Sequence, residues 1–163
     1  MFKLSQKSLS NLAGVDETLV RVVLRALELS EVDFGVNKSI RTAQEQFDLW
    51  KRKASQLNGA PVGKTINGVA GTGVSKHQEG VAVDLAAYPG GKYSDDWTYY
   101  YQIGRAMQKA SRELGVAVRW GGVWDRALGD LSEDMKAEVA GYTARQRSKG
   151  RSAFLDGFHF ELL

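Results

Sequence analysis

The 163 residues contain only two histidines, and each lies in a segment rich in groups that bind metals or move protons. The first is Ser75-Lys76-His77-Gln78-Glu79-Gly80-Val81-Ala82-Val83-Asp84; the second is Asp156-Gly157-Phe158-His159-Phe160-Glu161. Two imidazoles and one carboxylate, with a water in the fourth position, form a known class of catalytic zinc site. Zinc lowers the pKa of a bound water toward ~7 and polarises a carbonyl, which is what amide hydrolysis requires. A further carboxylate must accept the water's proton and pass it to the leaving amine. His77, Asp84 and His159 are the candidate ligands, and Asp156, three residues before His159, is close enough to face the same metal. Each also has an ordinary reading. A lone histidine is more often a surface or satisfied core residue, an aspartate in a strand can cap a turn, and Asp156 can open a β-turn with Gly157. There is no cysteine, so thiolate ligands, a thiol nucleophile and disulfides are excluded.

These groups need elements to position them. Val81 to Tyr88 reads as a strand with Val81, Val83 and Leu85 on one face and Ala82, Asp84 and Ala86 on the other. A closing strand, Phe158 to Leu162, points its phenylalanines one way and His159 and Glu161 the other. Both strands put apolar bulk in a core and display polar groups opposite, so two distant segments can build one site.

Residues 16–30 read as a helix that Asp16 caps, with Leu19, Val20, Val23, Leu24 and Leu27 at helical spacing. An extended stretch, Val32 to Ile40, follows. Thr42-Ala43-Gln44-Glu45 has the form of a capping box that opens a helix to about Leu57, stopped by Asn58-Gly59. Arg41 thus sits at a strand-to-helix junction, facing a cleft or held in a surface salt bridge. Residues 58–74 read as glycine-rich loop. Its last part invites a phosphate-loop reading that fails, because Val74-Ser75-Lys76 follows Gly73 where a Lys-Ser/Thr pair should. Asp95 or Ser94 can cap a helix from about Asp96 to Leu114, ended by Gly115. Val116 to Trp120 reads as a strand, and Ser132 can cap a helix to about Arg147. The mixed order predicts an α+β fold with a small, largely antiparallel sheet and flanking helices.

The chain is long enough for one domain with a single core, residues 1–163. With 43% hydrophobic and 25% charged residues it has an ordinary globular composition. A net charge of +3 is too small to identify a partner. The basic residues are scattered and no nucleic-acid-binding signature occurs, so no nucleic-acid partner is expected. No apolar run approaches the ~20 residues that span a bilayer, so no membrane insertion is expected. The N-terminus is too polar for a secretory signal peptide.

Ser75 through Asp84 matches the Ser-x-His-x-x-Gly-x-Ala-x-Asp motif, and Asp156 to His159 the acidic-x-x-His motif, of the M15 zinc peptidases. That family comprises D-alanyl-D-alanine carboxypeptidases and L-alanyl-D-glutamate peptidases. Arg41-Thr42-Ala43-Gln44-Glu45-Gln46 is similar to its upstream signature. Trp120-Gly121-Gly122-x-Trp124 and the terminal His159-Phe160-Glu161-Leu162 resemble the phage endolysin branch. The resemblance spans roughly Val32 to Leu162. It implies a Hedgehog/DD-peptidase-like fold, a Zn2+ ion on His77, Asp84 and His159, and Asp156 as general base. Arg41 would stabilise the oxyanion or hold a substrate carboxylate. Ser75 would contact substrate, bond to the ligand loop or shape the turn.

The implied function is peptidoglycan endopeptidase, cutting the stem peptide between L-alanine and D-glutamate. The alternatives are a D-alanyl-D-alanine carboxypeptidase of the same fold and a non-catalytic, zinc-stabilised binding domain. A monomer is the default expectation, and the enzyme is expected in the host cytoplasm until its release to the wall. One departure from the family is the long span between Trp124 and Asp156, where 125–155 is expected to form a helical insert beside the active site. Its acids Asp130, Glu133 and Asp134 suit either a regulatory cation or the first turn of the helix.

Overall fold

The computed structural model describes all residues, 1–163. A first helix, α1 (Gln6–Asn11), is capped by the Ser5 hydroxyl and was not expected from the sequence. In α2 (Glu17–Leu29) the Asp16 carboxylate accepts from the Thr18 N–H at 2.8 Å, and Leu19, Val22, Val23, Ala26 and Leu27 are buried along one stripe. Strand β1 (Phe34–Lys38) leads through Arg41 into α3 (Ala43–Lys51). The capping box that opens α3 is complete: Glu45 N–H donates to Thr42 Oγ1 at 3.1 Å, and Thr42 N–H donates to Glu45 Oε2 at 2.7 Å.

Helix α3 ends at Lys51, well before Leu57. Lys53 takes up left-handed backbone (φ 59°), and the buried Gln46 amide donates to the Leu57 carbonyl and to Ser55 Oγ, which folds the chain back. Residues 58–74 are not all loop. They contain a two-stranded hairpin, β2 (Thr65–Ile66) and β3 (Val69–Ala70), whose turn residues Asn67 and Gly68 both have positive φ. That is the two-residue Asn-Gly turn, a strong short-range hairpin signal.

Strand β4 (Ala82–Ala87) is followed by α4 (Trp97–Leu114). Asp96 caps α4 in place of Asp95 or Ser94, accepting from the Thr98 N–H, and Gly115 ends it in the left-handed conformation. After β5 (Val118–Trp120) comes α5 (Met135–Ser148), capped by Asp134 rather than Ser132. Strand β6 (His159–Leu162) closes the chain.

The main sheet runs in the order β1-β4-β6-β5 with every neighbouring pair antiparallel, giving the α+β architecture. Helices α2 and α4 pack together over it. Val83 and Leu85 of β4, Phe160 of β6 and Trp120 of β5 join Val22, Ile103 and Met107 in the core. The opposite face carries Asp84, His159 and Glu161.

Segment 125–155 contains the expected helix, but its body belongs to the core. Leu128, Leu131, Met135, Val139 and Tyr142 are buried there, and the Gln108 amide donates to the carbonyls of Leu128 and Leu131. At its end Phe154 packs on Trp124. In the acidic stretch, the Asp134 carboxylate accepts from the Ala137 N–H, which is the helix-capping arrangement.

Candidate metal centre and active site

The register of β4 and β6 decides the geometry, because it pairs Asp84 directly with His159. Alternation then sends Val83 and Phe160 into the core and leaves the two polar side chains together on the other face. His77 comes from the turn that precedes β4. That turn is held by Arg41 N–H donating to the His77 carbonyl and Asp16 N–H donating to the Gly80 carbonyl. His77 Nε2, His159 Nδ1 and Asp84 Oδ1 form a triangle with all three sides 3.2 Å.

Each ring's second nitrogen is engaged elsewhere. His77 Nδ1–H donates to the Ser39 carbonyl at 2.6 Å, and His159 Nε2–H donates to Glu161 Oε2 at 2.8 Å. A neutral imidazole that donates from one nitrogen presents a lone pair at the other. The triangle is therefore three acceptors facing one another with no donor among them, which only a cation or a captured proton can relieve. The donor set and the spacing fit zinc: four-coordinate bonds of ~2.0–2.1 Å place ligand atoms roughly 3.3 Å apart. No other group of three or more histidine, aspartate or glutamate side chains converges in this way.

The electrostatics express the same competition. Burial opposes charge on Asp84, but the adjoining His159 and His77 rings outweigh it and hold the carboxyl well below the usual carboxylate range. Burial opposes protonation of His159, yet the hydrogen bonds to Asp84 and Glu161 override it and raise the ring to about 9. In the metal-free protein a proton on His159 stands where a metal cation would. Glu161 is in turn held ionised, against its burial, by His159 and by Arg119, whose Nε donates at 2.9 Å.

Asp156 lies between the Gly121 strand end and the site. Its N–H donates to the Gly121 carbonyl at 2.9 Å, and its carbonyl accepts from the His159 N–H at 3.2 Å. The turn reading of Asp156 therefore holds, and its carboxyl lies near enough to Asp84, His159 and His77 to feel their charges. Burial, and then the negative charge of Asp84, raise its pKa, while His159 and His77 pull the other way. A carboxyl with raised proton affinity beside a metal triangle is suited to taking and returning a proton.

Arg41 forms no ion pair. Its guanidinium donates to Gln46 Oε1 at 2.8 Å, and Gln46 is almost wholly buried, so one end of the fork is fixed and other donors remain. Ser75 is buried, and its hydroxyl accepts from the His77 N–H at 3.3 Å while its carbonyl accepts from Gln78 and Glu79. Sequence reasoning left three contributors unassigned: Ser39, Glu161 and Trp124, whose ring lies 5.2 Å from that of His159. Two-residue alternation from His159 was the available signal for Glu161. Nothing local marked the Ser39 carbonyl.

The phage L-alanyl-D-glutamate peptidase family matches residues 1–163. The chain belongs to that family. It is 33% identical over 136 residues to the L-alanyl-D-glutamate peptidase of Escherichia phage T5, covering 83% of this chain and 90% of that one. Its fold is similar to the crystal structure of the Serratia marcescens L-Ala D-Glu endopeptidase ChiX, with a TM-score of 0.70 and 31% identity. That match covers 100% of this chain and 90% of the other. The resemblance to M15 peptidases of the phage endolysin branch is borne out, as is the expectation of a peptidoglycan endopeptidase. None of the helices of this family member is long and apolar enough to cross a membrane.

Proposed function

We propose that this endopeptidase cuts the amide between L-alanine and D-glutamate in the peptidoglycan stem, using zinc held by His77, Asp84 and His159. The observation that carries the metal reading is the donor-free triangle of three acceptor atoms at 3.2 Å. The bond assignment is supported by the two named relatives, each called a peptidase of that linkage. Zinc bound there supplies Lewis acidity toward a water and a carbonyl.

The chain's own groups do the rest. Asp156 takes the proton from the attacking water and returns it to the D-glutamate nitrogen as the amide breaks, a transfer its raised pKa favours. Arg41, fixed by Gln46 and free of any carboxylate, turns its remaining donors to the developing oxyanion or to a substrate carboxylate. Ser75 contributes by holding the His77 loop. The enzyme acts as a one-domain monomer on the stem peptide, reaching it on release from the host cytoplasm.

Incubation with peptidoglycan, with and without a zinc chelator, tests the reading by mass spectrometry of the new termini. Chelator-sensitive L-alanine carboxyl and D-glutamate amino ends are expected. Released D-alanine would reassign the enzyme to carboxypeptidase chemistry, and bound zinc without products would leave a binding domain. Asp156→Ala should keep stoichiometric zinc and lose on the order of 10²–10⁴-fold in rate. Full activity in that variant would remove Asp156 from the mechanism.

A further inference from the structure

Beside the metal centre lies a groove of roughly 1000 Å³ walled by three aromatic rings, Trp50, Trp124 and Phe154, with Lys53 and Gln56 at its polar edge. It adjoins the active site, with Trp124 as the wall between them. One neighbour of that indole is the ring of His159 at 5.2 Å, and the other is Phe154 at 5.8 Å. Phe154 is 64% exposed, a large apolar surface left open on a stretch without helix or strand. Trp50 is held from behind by the stacked Phe47 ring at 5.4 Å.

The polar edge is sparing in charge. Lys51 is engaged by Asp48 at 2.9 Å, whereas the Lys53 ammonium has no partner. Lys53 also occupies left-handed backbone just past the end of α3, where glycine is the usual residue, so a side chain is retained there at a conformational cost.

We propose that this groove binds an N-acetylated sugar of the glycan strand, the part of the substrate that continues from the L-alanine side of the cut bond. The inference rests on the peptidoglycan reading above. Pyranose rings present flat C–H faces that stack on aromatic side chains, and their hydroxyl and acetamide groups accept from an ammonium or a carboxamide. Three rings with one free cation match that chemistry better than a polyanionic peptide, which would call for several unpaired cations. The groove makes the enzyme a reader of stems still attached to glycan.

The test is titration of the zinc-loaded full chain with the N-acetylglucosamine tetramer, which carries neither peptide nor carboxylate, followed by the fluorescence of the groove tryptophans. Saturable binding is expected. Phe154→Ala should weaken it about tenfold, the effect of losing one aromatic anchor, and Phe154→Tyr should restore it. Unchanged melting temperatures would show that both variants are folded, as the exposure of Phe154 leads one to expect. Absence of saturable binding, or equal affinity in Phe154→Ala, overturns the proposal. So does a Phe154→Ala defect confined to binding of the free stem peptide. Because the tetramer is not cleaved, sugar binding by a protein that releases other termini from peptidoglycan would support the groove while refuting the bond assignment.

Discussion

Glu161 lies outside the metal triangle, yet it fixes which nitrogen His159 can offer. By accepting from Nε2–H it leaves the Nδ1 lone pair facing Asp84 and His77. Removing the carboxylate's charge while keeping its shape should loosen that orientation. Glu161→Gln is expected to lower zinc affinity about 10–100-fold, read by competition with a chromophoric chelator. An unchanged affinity would show that ring orientation is set by packing on Trp124 alone. Lys53 illustrates the opposite balance, a residue at odds with its backbone. Lys53→Gly should raise unfolding free energy by about 0.5–1 kcal/mol in denaturant titration, since glycine adopts the left-handed conformation without a Cβ clash. The same variant should bind the sugar more weakly, which separates stability from recognition.

At the scale of elements, the site depends on the close approach of two chain segments at the end of β5. Gly121 N–H donates to the His159 carbonyl and the Gly121 carbonyl accepts from Asp156 N–H, both at 2.9 Å. A Cβ on Gly121 would stand 2.1 Å from the Asp156 carbonyl oxygen, a backbone atom that cannot turn aside. Gly121→Ala should therefore displace the Asp156 turn, lowering stability by about 3 kcal/mol and reducing hydrolysis more than zinc binding. Normal turnover would mean the segment can shift without consequence. The alternation in β4 and β6 and the capping box of α3 were legible in the sequence because they depend on neighbours two to four residues away. The early stop of α3 was not, because it follows from Gln46 reaching the Leu57 carbonyl across a fold in the chain. The hairpin at Asn67-Gly68 had a local signal that the surrounding glycines obscured.

For the whole molecule, the proposed metal binding would be linked to folding through the same buried cluster. In the metal-free protein His159 has a pKa raised to about 9 from the ordinary 6.5. Its protonation therefore stabilises the fold fully below about pH 6.5, and that contribution is lost as pH rises toward 9. In the proposed reading zinc would take the proton's place, and its affinity would rise with pH because the ligands must be deprotonated. Thermal melts should show the metal-free protein weakening from pH 6.5 to 9, while the zinc-loaded protein holds its stability. At a free zinc concentration a hundred times Kd the gain is about 2.7 kcal/mol. Parallel pH profiles with and without zinc would sever this linkage.

The sequence by itself determined the types of the candidate ligands, the faces on which Asp84 and His159 lie, the capped starts of α2 and α3, and the α+β class. These are consequences of local periodicity and of having only two histidines and no cysteine. Only the tertiary structure decided that Asp84 pairs with His159, that the Ser39 carbonyl and Glu161 fix the two rings, and that Leu128, Leu131, Met135, Val139 and Tyr142 are built into the core. It also brought Trp50 and Phe154 together around one groove. Those relations join residues far apart along the chain, so they are set by strand register and packing, which no local pattern encodes.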